Sequence, residues 1–173
     1  MIKEHTANSS TMAAGKLKIV VFGAYNAGKS SFIQAVDPSS KHIEAPAEDG
    51  TTTVAMDFGR ITVRNMQVFL FGTPGQERFE FVRQIISRGM DAAIMIIDCS
   101  CEMDEFTRHL YQQLTEEGIP LAVMLNKCDL VESCPAMIRR QLGDVLMFEI
   151  TTVDKDSAGK ALDAFVGTLV TDL

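Results

Sequence analysis

Apolar positions recur along this chain at two spacings, and those spacings predict its elements. Leu17-Lys18-Ile19-Val20-Val21-Phe22 is nearly unbroken, and Ala92 to Ile97 and Leu121 to Leu125 contain no polar residue at all. Short runs of this kind mark strands covered on both faces. Phe32-Ile33-Gln34-Ala35-Val36 opens a helical period. Phe81, Ile85 and Ile86 within Glu77 to Ser87, and Phe106, Leu110 and Leu114 within Met103 to Glu117, repeat at helical spacing, with Gly89 and Gly118 as stops. Two more strands lie between Val54 and Phe71, joined by Arg64-Asn65 as a two-residue hairpin turn. A short helix over Ala136 to Leu142, a strand over Val145 to Ile150 and a helix over Ser157 to Leu169 complete the pattern. Strands alternating with helices specify an α/β fold. The expected sheet is six-stranded and mostly parallel, with one antiparallel edge strand and helices on both faces. Ligands of such sheets bind beyond the carboxyl ends of the strands.

Two stretches carry no period. Residues 1–15 are small and polar, which reads as a flexible tail ahead of a single domain over 16–173. Asp37 to Thr53 reads as one long loop, and such loops in compact domains are functional or mobile. At 173 residues, with 46% hydrophobic and 23% charged positions, the chain is long and apolar enough for a three-layer core. A formal charge of −7 leaves no basic face for a nucleic acid. No apolar run approaches a membrane span and neither end has a lipidation motif, so a cytoplasmic protein without an intrinsic membrane anchor is expected. Cys99, Cys101, Cys128 and Cys134 fit no common zinc spacing and are expected as reduced thiols. His5, His42 and His109 are scattered, as solvated surface histidines would be.

The candidate chemistry begins at Gly23-Ala24-Tyr25-Asn26-Ala27-Gly28-Lys29-Ser30, followed by Ser31. It matches G-x-x-x-x-G-K-[ST] between a strand and a helix, the context in which that pattern cradles phosphates. A plain glycine turn is the alternative, and the flanking elements argue against it. Gly23 and Gly28 let successive N–H groups turn inward, and the helix start adds its positive end. Lys29 can reach the outer phosphates, and the Ser30 hydroxyl can ligate Mg²⁺.

Asn126-Lys127-Cys128-Asp129 then selects the base. A carboxylate only accepts hydrogen bonds, so Asp129 suits the ring N–H and amino N–H of guanine, whereas adenine presents an acceptor there. The Lys127 stem can lie along the base plane. Asn126 would tie this loop to the phosphate loop. Thr151 and Thr152 end the last strand and could offer a backbone N–H to the guanine carbonyl.

With these motifs, with Thr53 in Thr51-Thr52-Thr53-Val54-Ala55-Met56-Asp57-Phe58 and with Thr73-Pro74-Gly75-Gln76-Glu77, the chain resembles the Ras-like small GTPase superfamily from Lys16 onward. Its Gly-Thr-Pro-Gly-Gln form looks like the prokaryotic branch, which includes GTPases that work with roadblock-type regulators. The resemblance implies a P-loop NTPase G domain that hydrolyses GTP and acts as a switch, with protein regulators and effectors and with Mg²⁺ as cofactor. Thr53 would join Ser30 on Mg²⁺ and contact the γ-phosphate, Gly75 would donate its N–H to that phosphate, and Gln76 would orient the attacking water.

Departures from the family pattern shape the expectations. Gly72 stands where relatives carry the Asp that steadies Mg²⁺, so a substitute such as Asp49 or Asp57 is expected. Tyr25 is bulky where most relatives are small, and should obstruct an arginine finger. Asn26 occupies the place of the Asn of potassium-dependent GTPases, but Gln76 favours the ordinary water-orienting route. For stacking on guanine, only His42 is available in the first mobile loop. Met56, Phe58, Phe79 and Phe81 could form a partner surface, with at least two of them buried. The alternative to a GTPase is a non-catalytic GTP-binding scaffold. A P-loop kinase would explain neither Asp129 nor Gln76.

Overall fold

The computed structural model describes residues 15–46 and 53–171. In chain order the elements are β1 (Lys16–Phe22), α1 (Lys29–Val36), β2 (Lys41–Pro46), β3 (Thr53–Val63) and β4 (Met66–Gly72). A 3-10 turn at Glu77–Phe79 leads into α2 (Glu80–Ser87), followed by β5 (Ala92–Asp98), α3 (Glu105–Glu116) and β6 (Leu121–Asn126). Last come α4 (Pro135–Leu142), β7 (Leu146–Glu149) and α5 (Lys155–Thr171). Segments 1–14 and 47–52, and with them the expected tail and Asp49, lie outside the described residues.

The sheet runs β2-β3-β4-β1-β5-β6-β7. Pairs β4–β1, β1–β5, β5–β6 and β6–β7 are parallel, while β3 is antiparallel to both β2 and β4. Because side chains alternate, β1 feeds two cores from one apolar run. Ile19 and Val21 pack with Phe32, Ile33 and Phe165 under α1 and α5, whereas Val20 and Phe22 pack with Ile86, Leu110, Leu114 and Ile138 under α2, α3 and α4. Full burial of Phe32 and Ile33 contributes roughly 1.5–3 kcal/mol each and seats α1, whose first turn carries Lys29 and Ser30. The β3–β4 turn closes through Arg64 at φ 50° and Asn65 at φ 63°, both left-handed as a type I′ hairpin requires. Asp104 caps α3 by accepting from the Thr107 N–H at 2.7 Å.

Three expectations are corrected here. The described residues form seven strands, not six, because β2 forms inside the stretch read as a long loop. Consequently the edge strand is β2, and the antiparallel strand, β3, is second from the edge. Every side chain of β2 is exposed, so nothing imposes the apolar alternation that would reveal a strand. None of Met56, Phe58, Phe79 and Phe81 is buried. The first three are half-buried, Phe58 against Phe71 at 5.1 Å between ring centroids, and Phe81 is 69% exposed.

Asp37 fixes the base of α1 to the sheet. One of its oxygens accepts from the Arg60 N–H at 2.8 Å, and the other from the Ser39 N–H and hydroxyl at 2.9 and 2.7 Å. Burial pushes this carboxyl up, but the bonds from Arg60 and Ser39 outweigh it and hold the group below the usual carboxylate range. A depressed folded-state value means stability that is present above the unfolded value and lost as pH falls through the folded one. Asp37→Asn should lower unfolding free energy by roughly 1–3 kcal/mol in urea at neutral pH. That difference should shrink as pH is taken below the unperturbed 3.8.

Candidate nucleotide-binding site

The loop after β1 curls through Gly23 at φ 150°, Asn26 at φ 60° and Gly28 at φ 110°. At Gly28 only a glycine fits, since a Cβ would stand 2.2 Å from Asn126 Nδ2. Lys29 is buried beneath the loop and donates to the Gly23 and Ala24 carbonyls at 2.8 and 2.7 Å. Burial draws its ammonium down to about 8, partly opposed by the Asp57 charge and reinforced by Arg83. The Ser30 hydroxyl donates to Asp57 Oδ2 at 2.6 Å, and His42 Nδ1 lies 2.6 Å from the other oxygen of that carboxylate. The loop after β4 closes on the phosphate loop. A Cβ on Gly75 would come 2.6 Å from both Lys29 Nζ and the Tyr25 nitrogen. A cleft of about 440 Å³ results, lined by Asn26, Lys29, Ser30, Asp57, Gly75 and Asn126 among others.

Asn126, 1% exposed at the end of β6, joins three loops. Its Nδ2 donates to the Ala27 carbonyl at 2.9 Å, and its Oδ1 accepts from the Thr152 N–H at 3.2 Å. Lys127, at φ 64°, pairs with Asp98 at the end of β5. Burial pushes the Asp98 carboxyl up, yet the bonds from Lys127 and Ser100 hold it below the usual range. Asp129 is exposed, its Oδ1 3.4 Å from the Thr151 hydroxyl.

The sequence model of the elongation factor Tu GTP-binding domain matches residues 15–168. The chain belongs to this family of P-loop GTPase domains. An uncharacterized protein of Methanocaldococcus jannaschii is 30% identical over 118 residues, which are 68% of this chain and 74% of that protein. A Ras and EF-hand domain-containing protein homologue of Caenorhabditis elegans is 29% identical over 88% of this chain but only 26% of its own length. Translation initiation factor IF-2 of Moorella thermoacetica is 22% identical over 84% of this chain and 17% of its own. The chain thus spans a small part of the longer relatives. The G domain of the T. maritima FeoB iron transporter shares the fold, with a TM-score of 0.67 and 18% identity over 88% of this chain and 98% of that one.

Most expected site residues of this G domain converge. Tyr25, Asn26, Gly28, Lys29, Ser30, Ser31, Gly75, Asn126, Lys127 and Thr152 line the one cleft, with the Gly23, Ala24 and Ala27 backbones beneath it. Others do not enter it. The Gln76 carboxamide oxygen accepts from Arg78 Nε at 2.8 Å, and Asp129 and Thr151, 3.4 Å apart, are not among the lining residues. Thr53 opens β3, and its side chain lies outside the described residues. The amides of Thr151 and Thr152 are engaged within the protein, by the Ser157 hydroxyl at 3.1 Å and by Asn126, because this loop turns directly into α5. His42 is exposed on β2, as expected of a surface histidine, but its ring is not free. It sits by Ser30, held between Asp57 and Glu44, and these two bonds raise its pKa.

The sequence reading missed Arg83 and Asp98. Buried Arg83 donates to the Pro74, Gln76 and Glu77 carbonyls at 3.3, 2.7 and 3.0 Å, clamping the loop that carries Gly75 and Gln76. In sequence it looks like any cation on an amphipathic helix. Asp98 did leave a signal, as an acid closing an apolar strand at the ligand end of the sheet. The four cysteines are free thiols, and burial pushes Cys99 up to about 12, which makes it a poor nucleophile. No described helix is long and apolar enough to cross a membrane.

Proposed function

We propose that this G domain binds GTP, hydrolyses it to GDP and phosphate, and works in the cytoplasm as a nucleotide-dependent switch for protein partners. The observation that carries the reading is the buried Asn126. It bonds to Ala27 of the phosphate loop from within the loop that bears Asp129, so phosphate and base recognition are set at one fixed separation. The Gly23–Gly28 amides take the phosphates, Lys29 exchanges two carbonyls for outer phosphate oxygens, and Asp129 takes the guanine edge. Ser30 offers a hydroxyl beside the Asp57 carboxylate, a pair of hard oxygens that suits Mg²⁺. Such a cation needs only one or two side chains besides phosphates, so a cluster of three protein ligands is not required. Ser30 and Thr53 would hold it, and when bound it neutralises charge on the β- and γ-phosphates.

For hydrolysis, Gln76 leaves Arg78 and orients a water in line with the γ-phosphorus. The new P–O bond forms as the bond to the bridging oxygen breaks. The Gly75 N–H meets the γ-phosphate, so loss of phosphate frees the Gly75–Gln76 loop. Exposed Phe81 and half-buried Met56, Phe58 and Phe79 give regulators or effectors, a roadblock-type protein among them, an apolar surface that changes with that loop. Tyr25, 68% exposed on the phosphate loop, stands in the path of an inserted arginine.

The second reading is a non-catalytic GTP-binding scaffold, favoured by the engagement of Gln76 with Arg78. Phosphate release from GTP with Mg²⁺ separates the two. The wild type should turn over slowly, and Gln76→Leu should be slower by about 10- to 100-fold through loss of water positioning. Equal, negligible rates in both proteins would leave the scaffold.

A further inference from the structure

Resting on the reading of the cleft as a site for Mg²⁺ and a guanine nucleotide, we infer that Asp57 supplies the metal-facing carboxylate that the end of β4 lacks. The acid has crossed the sheet from position 72 to its register partner. Asp57 and Gly72 are directly opposite in the antiparallel β3–β4 ladder. Opposite residues in such a ladder point to the same face of the sheet. Moving a carboxylate from one to the other therefore leaves it on the same face and at the same end of the sheet. Backbone direction does not matter to this exchange, which is why β3 can take over from β4.

The side-chain geometry agrees. A Cβ on Gly72 would stand 3.1 Å from both Cβ and Oδ2 of Asp57, so the Asp57 side chain already fills the space a residue at 72 would enter. That Cβ would also stand 3.0 Å from Ile33 Cδ1, which identifies the face as the one covered by α1. Ser30, in the first turn of the same helix, donates to Asp57 Oδ2 at 2.6 Å. The Asp57 side chain is 13% exposed, and its other oxygen is taken by His42 Nδ1, whose far nitrogen lies 3.1 Å from Glu44 Oε1. One oxygen is thus held by the β2 pair while the other is aimed at the hydroxyl that would ligate the cation. This is the layout of a metal site whose ligands are oriented by outer partners. The same geometry accounts for glycine at 72. A second acid there would put two carboxylates side by side, and they could not both stay ionised.

The test follows release of a fluorescent GDP analogue across a Mg²⁺ titration that starts in EDTA. It uses the wild type, Asp57→Asn, and the exchange variant Asp57→Gly/Gly72→Asp. Each protein's own EDTA rate is its reference. In the wild type Mg²⁺ should slow release. The Mg²⁺ concentration for half-maximal slowing should rise roughly 10- to 100-fold in Asp57→Asn. It should return toward the wild-type value in the exchange variant, in which the carboxylate is back on β4. An unchanged midpoint in Asp57→Asn, or an exchange variant no better than Asp57→Asn, overturns the inference and leaves the nucleotide site standing. Failure of the wild type to hold the GDP analogue at any Mg²⁺ concentration overturns both.

Discussion

Asp129→Asn should exchange the purine this protein prefers: GTP affinity falls roughly 10²- to 10⁴-fold, and xanthosine triphosphate becomes the better ligand. In the proposed site the acidic oxygens would accept from the guanine ring N–H and amino N–H, two charge-assisted bonds worth about 1.5–3 kcal/mol each, at 1.4 kcal/mol per factor of ten. An asparagine amide presents one donor and one acceptor. That matches xanthine, which keeps the ring N–H but carries a carbonyl in place of the amino group. The fold should be indifferent to the change, because Asp129 is exposed and its described partner is the Thr151 hydroxyl at 3.4 Å. Calorimetric titration of both proteins with GTP, XTP and ATP checks this. A variant that binds GTP as tightly as the wild type would show that the base is read elsewhere.

Gly28→Ala should abolish nucleotide binding and also lower the melting temperature. The position combines φ 110° with a Cβ only 2.2 Å from Asn126 Nδ2, and Asn126 is buried and bonded through both ends of its amide. The methyl group would break the 2.9 Å bond to Ala27, and the Thr152 contact with it. A strained backbone plus a broken buried network costs about 2–4 kcal/mol. For a domain of this size that is a fall of roughly 5–15 °C. Binding should drop at least as far as for Asp129→Asn, since both the phosphate cradle and the register of the base loop move. Thermal unfolding followed by circular dichroism, beside a fluorescent GDP titration, measures the two effects. A Gly28→Ala protein with wild-type melting and affinity would mean that the loop relaxes freely, against the close contacts described.

Much of this was legible from the amino acids. An unbroken apolar run such as Ala92 to Ile97 can be only a doubly covered strand or a buried helix, and the flanking turns decide. Gly23, Gly28, Lys29 and Ser30 stand out as candidates because a phosphate loop would demand those residue types at that spacing in a contiguous stretch, and a guanine-reading loop would demand Asn126 and Asp129 in another. What could not be read is whatever depends on pairing across the chain. The strand Lys41–Pro46 is held by backbone bonds to β3 while its side chains face solvent, so it leaves no pattern of polarity. Arg83 is an ordinary helix cation until the fold brings three carbonyls to it. The loss at Gly72 was visible in sequence, but two acids, Asp49 and Asp57, stood as substitutes. Tertiary structure supports Asp57, because ladder register is a relation between strands, and only the folded sheet sets Asp57 opposite Gly72 and beside the Ser30 hydroxyl. Local sequence determined which groups exist and how each loop bends; long-range pairing decided which groups meet.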